Sequence, residues 1–119
     1  MGWLAALRGG GSGVGPREAE RLMAGGALLL DVREPSEWRA GHAPAALHVP
    51  LGELQTRVTT LPRDRRIVVA CRSGGRSARA VALLRRSGLD AVNLTGGMRA
   101  WVGFGQALEA EGGGGGRVE

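Results

Sequence analysis

The stretch whose residue types and spacing are best suited to chemistry is Cys71-Arg72-Ser73-Gly74-Gly75-Arg76-Ser77. It follows the apolar run Arg66–Ala70 (RIVVA), rich in β-branched residues, and leads into Arg76–Arg86 (RSARAVALLRR), which has helical spacing. The thiol therefore heads a loop between a predicted strand and a predicted helix, at the strand end where open α/β sheets bind their ligands. Gly74 and Gly75 can adopt backbone angles closed to other residues, letting successive N–H groups converge above the sulfur, beside a helix N-terminus. Such a pocket lowers a thiol pKa and holds an anion, with Arg72 and Arg76 adding positive charge. A lone cysteine is more often a small packing residue, but a core cysteine belongs inside RIVVA, and this one lies at its end.

Cys71 is the single cysteine of the chain, so neither an intramolecular disulfide nor a thiolate-rich metal site is open to it. Its chemistry would be that of a thiolate nucleophile, with no metal and no cofactor expected. Other anion-binding loops fit less well. A tyrosine-phosphatase-type loop needs an arginine six residues after the cysteine, where this chain has Ser77, and Arg76 comes one place early. A nucleotide P-loop needs lysine where Arg76 stands and glycine where Ala70 stands. No Gly-x-Gly-x-x-Gly follows a strand, which removes the dinucleotide reading.

The elements that must position this loop read as strand and helix in alternation. Helices are predicted at Arg17–Met23, Pro35–Arg39, Leu51–Leu61, Arg76–Arg86 and Met98–Leu108, and strands at Ala27–Val32, Ala46–Val49, Arg66–Ala70 and Ala91–Leu94. That order implies a parallel sheet covered by helices on both faces. With 119 residues, 43% hydrophobic and only 3% aromatic, one domain with a core of Ala, Leu and Val is expected. Many of the 22 glycines gather at the two ends, so a flexible segment over 1–15, a domain over 16–111 and a flexible Gly-rich tail over 112–119 are expected.

The net charge of +5 comes from arginines without lysine. They are scattered and lack interleaved aromatics, so no nucleic-acid partner is expected. No apolar run approaches the ~20 residues of a membrane span. The apolar start is interrupted by Arg8, unlike a secretory signal. A cytoplasmic monomer is expected, without membrane attachment.

Taken together, Leu30-Asp-Val-Arg-Glu-Pro35, Glu37-Trp38, Gly41-His42, the Cys71–Ser77 loop and Gly96-Gly-Met-Arg-Ala-Trp101 resemble the rhodanese family of sulfurtransferases in order and spacing. The resemblance implies an α/β rhodanese-like domain with a five-stranded parallel sheet and helices on both faces. Its opening strand would lie just before Pro16, where Gly13-Val14-Gly15 is a poor strand sequence. The implied enzyme is a thiosulfate sulfurtransferase: Cys71 takes a sulfane sulfur from a small anionic donor such as thiosulfate, becomes a persulfide, and passes the sulfur to a thiol or sulfur-carrier acceptor. Cys71 is then the catalytic residue, and Arg72, Ser73, Gly74, Gly75, Arg76 and Ser77 bind substrate. The chain departs from the family pattern after His42, with Ala43-Pro44-Ala45 in place of Ile-Pro-Gly, a change expected to touch packing only. The alternatives are a non-catalytic or sulfur-sensing module that binds a partner and, disfavoured by loop length, a phosphatase or arsenate-reducing relative.

Asp31, Arg33, Glu37 and His42 form a candidate second layer around this site. Asp31 and Arg33 lie on the same rim as the loop and either touch substrate or hold the loop layer, with Arg33 pairing Glu37. The structural role is preferred because buried arginines are usually paired. His42 and His48 read as packed, hydrogen-bonded side chains, and Trp38 and Trp101 as core anchors.

Overall fold

The computed structural model describes residues 13–119, so the expected N-terminal segment and Trp3 lie almost wholly outside the described residues. The elements in order are α1 (Pro16–Ala24), β1 (Leu28–Asp31), α2 (Pro35–Ala40), β2 (Leu47–His48), α3 (Leu51–Arg57) with a 3-10 turn at Val58–Thr60, β3 (Ile67–Ala70), α4 (Gly75–Arg86), β4 (Ala91–Asn93) and α5 (Gly97–Gly103). Pro16 and Pro35 open α1 and α2, where a missing N–H costs nothing. At α2, Glu34 and Glu37 form a reciprocal capping box.

The strands make one parallel sheet in the order β2-β1-β3-β4. Among the described residues four strands stand where the resemblance implied five. The missing place, beside β4, is held by a single parallel bridge between Val14 and Leu94. Val14 N–H donates to Asn93 O at 2.8 Å, and Thr95 N–H donates to Val14 O at 2.8 Å. Glycines flank Val14 on both sides and supply no side chains to pack, so among the described residues the pairing stays a single bridge.

Both faces of the sheet are covered, which is why β3 is apolar and buried at every position and β1 is apolar up to its terminal Asp31. Leu30, Ile67, Val69 and Cys71 pack with Leu54 of α3 and with Ala80, Val81 and Leu84 of α4. Leu29, Val68 and Ala70 pack with Ala19 of α1 and with Met98 and Trp101 of α5. The period-two alternation along β3 thus delivers the Cys71 side chain to the α3/α4 side.

Two helix ends differ from expectation. The α-helix of α3 gives way to the 3-10 turn where the β-branched run Val58-Thr59-Thr60 begins. The last helix stops at Gly103, well short of Leu108, because Gly105 takes a left-handed φ of 99°.

The glycine-rich tail is not a free extension. Arg117 N–H donates to Ala40 O at 2.9 Å, Glu109 bridges both His42 and Gly115, and Val118 packs against the α1/α5 core. Among the described residues no helix is long and apolar enough to cross a membrane.

Candidate active site

Cys71 follows the last residue of β3, and its side chain is buried, 1% exposed. The loop after it turns back so that Gly74 N–H donates to the sulfur at 3.0 Å. Ser77 Oγ lies 3.3 Å from the sulfur. Burial pushes the pKa of the thiol up, and this largest single influence is outweighed by the Ser77 hydroxyl and the backbone N–H groups of Ser77, Gly74 and Ser73. Cys71 consequently ionises below its ordinary range.

The loop keeps this shape through two glycines. Gly74 caps α4 with a left-handed φ of 118°, a region costly for L side chains. Gly75, expected to share that role, does not: it is the first residue of α4, its φ is not left-handed, and a Cβ there would meet open space. The second glycine is Gly97, with φ 61° and no room for a Cβ against the backbone of Cys71 and Arg72. That close approach lets Met98 N–H reach Cys71 O at 2.8 Å and Arg99 N–H reach Arg72 O at 3.1 Å. The Gly96-Gly97 pair of the sequence is thus the buttress of the cysteine loop.

The other predicted residues fall into two groups. Arg72 and Ser73 are exposed on the loop. Arg76 turns to α2, giving Glu37 a two-pronged salt bridge at 2.6 and 2.8 Å. The guanidinium is the main reason that the Glu37 carboxyl lies below the usual carboxylate range. Arg33 therefore does not pair with Glu37, as the sequence suggested. It pairs with Asp31, Nη2 to Oδ2 at 2.7 Å, and also donates to Gly41 O at 2.7 Å. Both residues are fully buried, and a buried guanidinium is costly unless paired, so the nearest carboxylate in the strand end takes it.

His42 belongs to neither group. Its ring stacks on Trp38 at 3.7 Å between centroids, and His48 stacks on Trp38 at 4.7 Å. His42 Nδ1 is 2.7 Å from Trp38 O, and His48 Nε2 is 2.8 Å from Arg33 O. Trp38 is thus an anchor at the centre of a ring stack, half-buried, while Trp101 is a true core residue. Sequence reasoning missed Asn93 altogether. It ends β4 and reaches the loop, with Nδ2 donating to Gly74 O at 3.2 Å and Oδ1 accepting from Ser77 Oγ at 2.5 Å. The one available signal was a polar residue at the carboxyl end of the strand beside RIVVA.

The family model for the Rhodanese-like domain matches residues 15–103. The chain belongs to the rhodanese-like family. Within this family of sulfurtransferases, a Sulfurtransferase from Allochromatium vinosum is 42% identical over 84 residues, which cover 70% of this chain and 78% of that protein. A putative sulfurtransferase, YtwF, from Bacillus subtilis is 41% identical over 75 residues, 63% of this chain and 73% of its own. Among solved structures, a rhodanese-related protein from Thermoplasma volcanium superposes with a TM-score of 0.78 at 31% identity, covering 84% of this chain and 99% of that one. The rhodanese-like domain therefore accounts for the fold, the order of motifs and the cysteine loop together.

Proposed function

We propose that this rhodanese-like domain is a thiosulfate sulfurtransferase acting through a persulfide on Cys71. The observation that carries the reading is the sulfur at the carboxyl end of β3 with the Gly74 N–H aimed at it. A thiolate held this way attacks the outer sulfur of thiosulfate. The new bond joins that sulfur to Cys71 Sγ, the sulfur–sulfonate bond breaks, and sulfite leaves with the electron pair. The negative charge now sits on the outer sulfur, where fixed N–H dipoles stabilise it without reorganisation. A nucleophilic acceptor then takes this sulfur, and the Cys71 thiolate leaves.

Charge is conserved at each step, and neither step calls for a general base. Arg72, exposed beside the loop, meets the incoming dianion, while Arg76 contributes its field from the salt bridge with Glu37. With no second cysteine in the chain, discharge falls to an external thiol or a sulfur-carrier protein. One relative, 40% identical over 76 residues that make up 41% of its length, is a putative sulfur carrier protein, YrkF, of Bacillus subtilis.

Intact mass before and after thiosulfate treatment tests the reading. The wild-type protein gains one sulfur and loses it to cyanide as thiocyanate, and Cys71→Ser does neither. Loading that persists in the serine variant overturns the mechanism. Cys71-dependent hydrolysis of an aryl phosphate faster than sulfur transfer would replace it with phosphatase chemistry.

A further inference from the structure

Ser77 Oγ lies within reach of three acceptors: Cys71 Sγ at 3.3 Å, Gly74 O at 3.1 Å and Asn93 Oδ1 at 2.5 Å. A hydroxyl has one proton to share among them. Gly74 O already accepts Ala78 N–H at 3.1 Å and Asn93 Nδ2 at 3.2 Å, which uses both of its lone pairs. The same contact fixes the Asn93 amide, because turning it over would set Oδ1 against the Gly74 carbonyl. The Ser77 proton therefore lies on the line to Asn93, and the sulfur contact is left with Sγ–H donating to Ser77 Oγ. That is the bonding pattern of the neutral thiol.

On ionisation the sulfur has no proton to give. The Ser77 hydroxyl must then swing towards the thiolate, leaving Asn93 Oδ1 without its donor. We propose that Asn93 is a positioning residue which, by competing for the single proton of Ser77, opposes ionisation of Cys71 and sets its acidity. The proposal deepens the reading of Cys71 as the nucleophile and rests on it. A more acidic thiol is a weaker nucleophile towards the donor and a better leaving group towards the acceptor, so Asn93 biases loading against discharge.

The charged groups around the sulfur are Arg76 of α4, which is coupled to the Cys71 charge and paired with Glu37 of α2, the neighbouring Arg72, and the closed Asp31–Arg33 pair at the end of β1. Replacing the neutral Asn93 alters none of these charges.

The test is the pH dependence of Cys71 alkylation by iodoacetamide in the full chain, for wild type, Asn93→Ala, Ser77→Ala and the double variant. Net hydrogen-bond strengths of this kind translate to roughly half a pH unit to one. Asn93→Ala lowers the midpoint by about that amount, Ser77→Ala raises it, and the double variant matches Ser77→Ala. A midpoint unmoved or raised by Asn93→Ala overturns the proposal, as does an equal shift in the Ser77→Ala background. Thermal melts report folding, and if Asn93→Ala does not fold, Asn93→Ser, too short to reach Ser77 Oγ, carries the same expectation. Wild-type loading by thiosulfate is followed in parallel by mass. A protein that passes the alkylation cycle but takes up no sulfur refutes the sulfurtransferase reading and leaves the Asn93 switch standing.

Discussion

The carboxyl ends of β1 and β3 are neighbours, with Asp31 and Ala70 paired in register, yet they are built from opposite materials. The end of β1 is ionic and closed. Asp31 and Arg33 are both 0% exposed, and the carboxylate takes the Arg33 backbone N–H at 3.0 Å as well as the guanidinium. The end of β3 has no charged side chain against the sulfur, where a backbone N–H points at it and a hydroxyl lies beside it. Buried ions tolerate no missing counter-ion, so this pair serves as scaffold: the carboxylate is matched by Nε and Nη2 of Arg33, and only the buried Nη1 is left without a hydrogen-bond partner. Neutral dipoles held by the fold can face an anion that comes and goes. The rim thus spends its buried charge on rigidity and leaves chemistry to the backbone.

The largest effect expected from this contrast is on stability. Arg33→Met leaves Asp31 as a buried carboxylate without its partner, which costs about 3–5 kcal/mol. Urea unfolding measures it, and the double variant Asp31→Leu, Arg33→Met recovers a good part of the loss because no ion remains uncompensated. Cys71→Ser, at the end of the neighbouring strand, abolishes sulfur loading and shifts unfolding by only about 1 kcal/mol. If Arg33→Met unfolds at the wild-type midpoint, the two strand ends do not divide scaffold from chemistry in this way.

The next effect separates the two adjacent glycines. Gly74 holds φ 118°, so Gly74→Ala forces a side chain into a conformation costing on the order of 1–3 kcal/mol. It also displaces the N–H that points at the sulfur, and loss of a well-placed donor of this kind lowers turnover by about a hundredfold or more. Gly75 sits in the first turn of α4 with open space at its Cβ. Gly75→Ala is therefore neutral to slightly stabilising and keeps its turnover. Unfolding curves and cyanide-coupled turnover of the two variants check the distinction. Equal losses in both would return the pair to a shared role in the turn.

Much of this was legible in the sequence, and the exceptions have a common cause. RIVVA and RSARAVALLRR declared a buried strand and a helix, and the cysteine between them declared the loop. Local chemistry of that kind is carried by adjacent residues. The partners of Arg76 and Asn93 are set by how neighbouring strands and helices stack, which spacing along the chain does not encode, whereas Arg33 takes the carboxylate two residues before it. Glu37 and Arg76 are 39 positions apart and Ser77 and Asn93 are 16. The contacts of the tail are of the same kind: its glycines suggest freedom, and its backbone meets Ala40, far back in the chain, and the neighbouring Glu109. That the described residues give only a bridge at Val14 beside β4 was readable in Gly13 and Gly15, which supply no side chains to pack.

The smallest effect concerns the ion pair of Arg76 and Glu37, which reaches from the scaffold to the loop. Arg76 and Glu37 are partly exposed, at 30% and 15% of their side chains, so their bridge contributes about 0.5–1 kcal/mol once solvent screening is allowed for. Because the Glu37 carboxyl is held below its ordinary value, that contribution is fully present above the pKa of glutamate in the unfolded chain. It fades as the pH falls through the lowered value in the folded state. Glu37→Gln removes the negative charge and leaves Arg76 in place with its positive field no longer offset. Stability at neutral pH falls by the amount above, and its decline in acid flattens. Use of the thiosulfate dianion moves the other way: kcat/KM rises by about two- to fivefold at low salt, an advantage within the range of a partly exposed charge, and high salt erases most of it. A fall in kcat/KM that persists at high salt would mean that Glu37 serves by aiming Arg76 at the donor. In that case this part of the ionic rim would share the chemistry of the loop.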